Sequence, residues 1–149
     1  MEIKSANISD AEQLTTLTLA SKSYWSYTPE QIRAWTNDLT ITADYIQKHQ
    51  VFKLENDHAI LGYYSTYESS PDQIKLDNLF IHPSHIGHGF GKKLLNHCIQ
   101  EAKQQGYGTI ELDADPHAES FYSHFGFKTI GQIPTAIPER FLPVMTLEI

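Results

Sequence analysis

At 149 residues, with 40% hydrophobic and 19% charged side chains, the chain has the makings of one globular domain, residues 1–149, able to bury its own core, and not of a disordered polymer. A formal net charge of −7 and only two arginines, Arg33 and Arg140, exclude the basic face of a duplex binder, so no nucleic-acid partner is expected. No apolar run approaches the ~20 residues of a membrane span, Met1-Glu2-Ile3-Lys4 opens as a strand rather than a secretory leader, and the single Cys98 cannot form an intrachain disulfide, so the expectation is a cytoplasmic protein with no membrane partner.

Taken in chain order, residues 2–8 read as a short strand, and Ser9 with Glu12 makes a capping box that opens a helix through Ala11, Leu14, Leu17 and Leu19. A second helix is expected from Thr28-Pro29, with Ile32, Trp35 and Leu39 on one face. The connection between them, Ser21-Lys22-Ser23-Tyr24-Trp25-Ser26-Tyr27, is unusually aromatic. Strands follow at residues 50–55, 59–68 and 73–82, the first two joined by a turn at Asn56-Asp57, so the middle of the chain is expected to be an antiparallel meander. Leu94, Leu95, Cys98, Ile99 and Ala102 recur at helical spacing and predict a helix over 90–105 that Gly106 ends. Residues 109–113 then read as a strand, 116–125 as a helix, 127–133 as a strand, and 143–149 as a closing strand after a proline-rich connection. No repeat or linker interrupts this α/β (α+β) succession of seven strands and four helices.

Between the third of the central strands and the long helix lies His82-Pro83-Ser84-His85-Ile86-Gly87-His88-Gly89-Phe90-Gly91-Lys92-Lys93. Alternate glycines can adopt backbone conformations closed to other residues, so consecutive N–H groups can turn inward at a helix start whose dipole also favours an anion. The pattern is a phosphate cradle. A P-loop would need Gly where Ile86 stands and Ser or Thr where Lys93 stands, and a dinucleotide fingerprint would need Gly at Lys92; neither fits.

Ile86-Gly87-His88-Gly89-Phe90-Gly91, preceded by Leu79-Phe80-Ile81-His82-Pro83, resembles the pyrophosphate loop of the GCN5-related N-acetyltransferases (GNAT), Arg/Gln-x-x-Gly-x-Gly/Ala. Downstream, Asp115-Pro116-His117-Ala118-Glu119-Ser120-Phe121-Tyr122-Ser123-His124-Phe125-Gly126-Phe127 is similar to a second motif of that superfamily, Asn-x-x-Ala-x-x-x-Tyr-x-x-x-Gly-Phe. Other segments resemble a small bacterial-type branch. The resemblance implies a GNAT fold, a mixed sheet of about seven strands with four helices, in which strands 4 and 5 splay around acetyl-CoA.

The activity it implies is transfer of an acetyl group from acetyl-CoA, the cosubstrate, to a primary amine of a small molecule, peptide or protein, by direct attack within a ternary complex and without a metal. The cosubstrate would be held by backbone groups of Leu79, Phe80 and Ile81 and by Ile86, Gly87, His88, Gly89, Phe90, Gly91, Lys92, Asp115 and Tyr122. Tyr122 stands where relatives place the acid that protonates the departing thiolate, the plain alternative being a packed helix tyrosine. Asp77 matches positions of an acidic base, with Glu111, Asp113 or an ordered water as alternatives. Two positions depart from the family. Ile86 replaces a basic or amide residue and can offer a phosphate only its backbone N–H, and Asp115 replaces an asparagine and cannot donate when ionised.

Tyr24, Trp25 and Tyr27, with Trp35, are the candidates for the acceptor pocket, and Lys22 or Arg140 could read a substrate carboxylate. An acidic surface favours cationic acceptors. His82, His85 and His88 could in principle hold a zinc ion, but converging all three would disrupt the cradle, so solvent-facing loop histidines are expected. Cys98 shares the helix stripe of Leu94 and Leu95 and reads as a buried structural thiol. A non-catalytic CoA-binding sensor or protein partner is the rival to an enzyme. Homodimer formation stays open, with residues 133–143 and the last strand as its elements.

Overall fold

The computed structural model describes residues 1–25, 27–135, 137 and 139–149. Ser26 of the aromatic connection and Ala136 and Pro138 of the proline-rich connection lie outside the described residues. The elements are β1 (Glu2–Ser5), α1 (Ala11–Ser23), α2 (Pro29–Leu39), α3 (Ala43–Lys48), β2 (Gln50–Asn56), β3 (Ala59–Ser70), β4 (Gln73–Ile81), α4 (Phe90–Gln104), β5 (Thr109–Asp113), α5 (Glu119–His124), β6 (Lys128–Pro134) and β7 (Phe141–Glu148). Short 3-10 turns precede α1, α4 and α5.

Seven strands form one sheet in the order β1-β2-β3-β4-β5-β7-β6. The neighbours β1 with β2, β2 with β3, β5 with β7 and β6 with β7 run antiparallel. β4 and β5 are parallel, paired through Gln73–Thr109, Ile74–Ile110 and Lys75–Glu111. A parallel pair needs a long crossover, and α4 supplies it. The sheet is therefore mixed, as expected, and all seven expected strands are present, but β1 ends at Ser5 rather than at residue 8, where the 3-10 turn begins, and β7 starts at Phe141 rather than at residue 143.

The helices differ by one. α3 is too short for a periodic apolar stripe to mark it, and it forms because the Thr42 hydroxyl accepts the Tyr45 N–H and buries Ile46. Ahead of α1, the expected Ser9–Glu12 capping box gives way to a 3-10 turn, Ile8–Asp10, in which Asp10 Oδ2 accepts the Asn7 N–H at 2.8 Å. α2 starts as the sequence predicts. Thr28 and Gln31 exchange reciprocal bonds, 2.9 and 3.1 Å, ahead of Pro29. The β2–β3 turn sits one residue later than expected, at Asp57-His58, both in the left-handed region with φ of +50° and +68°.

The chain groups into two compact units, Met1–Thr66 with Asn78–Cys98, and Tyr67–Asp77 with Ile99–Ile149. In the first, Leu14 and Leu17 of α1, Ile46 of α3, Val51 of β2 and Tyr63 of β3 form an apolar cluster with Ile41, and Phe80 packs against it. Gly62 matters here: a β-carbon on it would lie 2.6 Å from Ile81 Cδ1 and 2.8 Å from Phe80 O, so only glycine lets β3 approach the end of β4 this closely. Leu94, Leu95 and Cys98 of α4 are fully buried, which bears out the structural reading of the thiol. In the second unit Ile110, Leu112, Ala114, Tyr122, Phe127 and Met145 are buried. Among the described residues no helix is long and apolar enough to cross a membrane.

Candidate active site

The glycine loop lies in the first unit. His82 leaves β4 with its N–H on Leu61 O at 2.8 Å, and its ring Nδ1 accepts the Ser84 N–H, which starts the 3-10 turn Pro83–His85. The His85 N–H closes on His82 O at 2.9 Å and the Ile86 N–H on Pro83 O at 3.4 Å. The Ile86 N–H that the sequence offers to a phosphate is thus drawn into the turn, and the open donors begin one residue later.

Gly87 and Gly89 have φ of +89° and +80°, in the region that strains any residue with a β-carbon. Nothing lies within 4 Å of where either β-carbon would stand, so the cradle opens to solvent. The N–H groups of Gly87, His88 and Gly89 have no partner among the described residues. Phe90, Gly91 and Lys92 follow as the first turn of α4, whose N–H groups lack an intrahelical carbonyl. A run of donors at a helix start, with Lys92 exposed beside it, is suited to a phosphate.

The three loop histidines stand in a row, ring centroids 5.9 and 6.3 Å apart, and His85 and His88 pack against Phe90 at 6.0 and 5.8 Å. Among the described residues no group of three or more His, Cys, Asp or Glu is arranged to hold a metal.

The aromatic connection also belongs to the first unit. Tyr24 and Trp25 are exposed and meet edge-to-face at 5.2 Å. Tyr27 and Trp35 form a second edge-to-face pair at 4.8 Å, and the Lys22 ammonium sits 5.2 Å from both ring centroids. Lys22 is thereby engaged by ring faces in a cation–π arrangement.

In the second unit, Tyr122 of α5 is buried, its ring edge-on to Phe121 and Phe127 at 5.2 and 5.6 Å. Its carbonyl accepts the N–H groups of Phe125 and Phe127, and Gly126, at φ +97°, turns the chain so that Phe127 returns onto the ring. The Tyr-x-x-x-Gly-Phe spacing therefore fixes one ring in one place. Asp115 caps the turn before α5: Oδ1 accepts the His117 N–H and meets His117 Nδ1, both at 2.9 Å, and Arg140 Nη2 lies 3.5 Å from Oδ2. Arg140, expected near a substrate carboxylate, is paired with this one.

Lys75 bridges Glu111 at 3.0 Å and Asp113 at 2.9 Å. Burial pulls its ammonium pKa down, but hydrogen bonds to Asp113 and Glu111 outweigh that and leave it above the usual lysine value. Both alternative bases thus accept from an ammonium. Asp77 is exposed on β4, and its charge, after burial, is the next cause that pushes the Tyr67 phenol above its ordinary pKa.

Residues 25–136 match the model of the acetyltransferase (GNAT) domain. The chain belongs to the GNAT family. An uncharacterised N-acetyltransferase, ycf52, of Gracilaria tenuistipitata var. liui is 40% identical over 52 residues, which are 35% of this chain and 29% of that protein. The chain thus aligns with less than a third of that GNAT relative's length. Among solved structures, a GCN5-related N-acetyltransferase from Rhodopseudomonas palustris superposes with a TM-score of 0.84 at 20% identity, covering 99% of this chain and 95% of that one. The PaiA N-acetyltransferase from Thermoplasma acidophilum, solved in complex with coenzyme A, gives 0.81 at 19% identity, covering 99% and 98%. These likenesses establish the GNAT fold over the whole chain.

One polar cluster next to the candidate residues of β4 escapes motif reading. Asn78, adjoining Leu79 on β4, is hydrogen-bonded to Ser65 of β3 and Tyr45 of α3. No sequence signal marks it, because β3 and β4 each carry several other polar residues, among them Thr66 and Glu68, and Lys75 and Asp77.

Proposed function

We propose that this protein is an acyltransferase that moves an acetyl group from acetyl-CoA to a primary amine of a small molecule, peptide or protein by direct attack in a ternary complex. The observation that carries the reading is the glycine loop: two left-handed glycines and three unpartnered N–H groups run into the start of α4. It stands at the position of the family's pyrophosphate motif, and the PaiA neighbour binds coenzyme A. Gly87 to Lys92 would hold the pyrophosphate, and the backbone of Leu79, Phe80 and Ile81 the pantetheine arm.

Acetyl-CoA supplies an activated thioester, so that an N–C bond forms as the C–S bond breaks. The chain's part is to place charges and protons. Backbone N–H groups of residues 79–81 would stabilise the oxyanion. Tyr122 would give its phenolic proton to the departing sulfur. Asp77, or an ordered water, would take the proton that the amine loses. The ties of Glu111 and Asp113 to Lys75 favour Asp77 over them. The exposed Tyr24 and Trp25 and the half-buried Tyr27 are suited to the apolar part of an acceptor.

Two measurements test this. CoA and acetyl-CoA at saturation should raise Tm, because a ligand of the folded state alone stabilises it by mass action. A thiol-release assay with acetyl-CoA should then show turnover with at least one of spermidine, L-lysine, kanamycin and an alanine-initial peptide. No rise in Tm would refute CoA binding; a rise without turnover for any amine class would favour the sensor.

A further inference from the structure

Three side chains of the first unit form a closed triangle. Tyr45 Oη and Ser65 Oγ are 2.8 Å apart, and Asn78 Nδ2 is 3.1 Å from the first and 3.0 Å from the second. Proton counting fixes the orientation of the amide. With Nδ2 toward the hydroxyls, its two hydrogens and one hydroxyl hydrogen fill all three contacts. With the amide reversed, two hydroxyl hydrogens would have to serve three contacts, and one would be empty. Oδ1 therefore points away from the pair. It has no partner among the described residues and, because no described side-chain oxygen is both buried and unpartnered, it is open to solvent. Ser65 is wholly buried and Tyr45 is stacked on His49 at 4.0 Å, so this acceptor atom is held at a defined position.

Its face is also defined. Along β3, Gly62 faces Leu94 of α4, and Tyr64 bonds His97 of α4 at 2.7 Å, whereas Tyr63 joins the α1–α3 cluster and Ser65 meets Tyr45 of α3. Asn78, bonded to Ser65 and Tyr45, lies on the α1–α3 face of the sheet. The glycine loop opens α4, on the opposite face. On the proposed reading, a cosubstrate anchored at α4 brings its acetyl group to Leu79 from that side, and the acceptor must come from the other.

We infer that Asn78 Oδ1 accepts an N–H of the attacking amine, with Tyr45 and Ser65 as the residues that position it. Once water has taken one proton from the ammonium, the neutral primary amine keeps two N–H bonds and a lone pair, and the second proton, lost after attack as the amide forms, goes to the base. One N–H donated to Oδ1 turns the lone pair while leaving it available to attack, and no proton need pass through Asn78. The inference rests on the acetyltransferase reading and adds the group that orients the acceptor.

The test uses the best amine from the panel above. Asn78→Leu should raise the acceptor's KM by roughly three- to tenfold, the worth of one net hydrogen bond, and leave both the KM for acetyl-CoA and the CoA-induced rise in Tm unchanged. Ser65→Ala and Tyr45→Phe should each produce a smaller rise with the same split, and they carry the test if Asn78→Leu fails to fold. A rise in the KM for acetyl-CoA would assign the oxygen to the cosubstrate instead, and unchanged constants would make it a structural amide; either overturns the inference. If the wild-type chain gives no turnover with the panel, the acetyltransferase reading fails first and this one with it.

Discussion

Gly89 and Tyr122 separate the two tasks of the proposed reaction, holding the cosubstrate and moving a proton. A β-branched residue at Gly89 meets no steric obstacle, since nothing lies within 4 Å. Its cost is conformational, about 1–2 kcal/mol for a left-handed L-residue, and the cheapest relief is to rotate the loop and lose the alignment of its N–H groups. Gly89→Val should therefore abolish the CoA-induced rise in Tm. Tyr122→Phe removes one oxygen from a ring held by Phe121 and Phe127, so the rise should persist while kcat falls by about 100-fold or more, as for loss of a general acid. An unchanged kcat would reduce Tyr122 to a packing residue. The local geometry of both positions was legible because motifs with glycine at fixed spacing carry backbone geometry. Asn78 was not, because its role depends on Ser65 and Tyr45, 13 and 33 residues away, and no spacing links them.

At the scale of elements, β2 to β5 and α4 were legible because each buries apolar positions that leave a pattern in the sequence, whereas β6 is exposed at every residue and β1 at three of four, and neither carries such a period. α3 and the 3-10 turns were not, since six residues or fewer leave too few apolar positions to form a stripe and these elements are set by caps; α5, equally short, was marked by its Tyr-x-x-x-Gly-Phe motif instead. The entry to α1 shows the difference. Its 3-10 turn is anchored by Asp10, and Asp10 is paired at 2.9 Å with Lys53, a buried lysine that also binds Glu55 at 3.0 Å; Lys4 of β1 reaches Glu55 at 2.7 Å. This network ties β1, β2 and the entry to α1 together. Hydrogen bonds from Lys4 and then Lys53 lower the Glu55 pKa from 4.5 to about 2. A carboxylate with a depressed folded-state pKa contributes stability above its unfolded value and loses it as pH falls through the folded one. The window for Glu55 runs from 4.5 down to about 2. Comparing urea midpoints of the wild type and Glu55→Gln, first at neutral pH and then stepwise down that window, should show a gap that is constant above it and closes within it. A gap independent of pH would mean that Glu55 acts by packing alone.

For the whole molecule the governing quantity is the net charge of −7, which bears on encounter rather than on fold. It attracts a polyamine or an aminoglycoside and repels acetyl-CoA, whose phosphates must rely on the short-range donors of the glycine loop. The two substrates of the proposed reaction should therefore respond to salt in opposite senses. At about 0.01 M ionic strength the Debye length is about 30 Å and the field of the whole chain reaches an approaching cation; near physiological salt it shrinks to about 8 Å. Raising salt over that range should lower kcat/KM for spermidine about threefold or more, while the KM for acetyl-CoA stays level or falls. An alanine-initial peptide with acidic residues after the first position should gain as spermidine loses. If kcat/KM for spermidine instead rises with salt, the potential where the acceptor enters is positive despite the net charge, and an anionic acceptor becomes the better match.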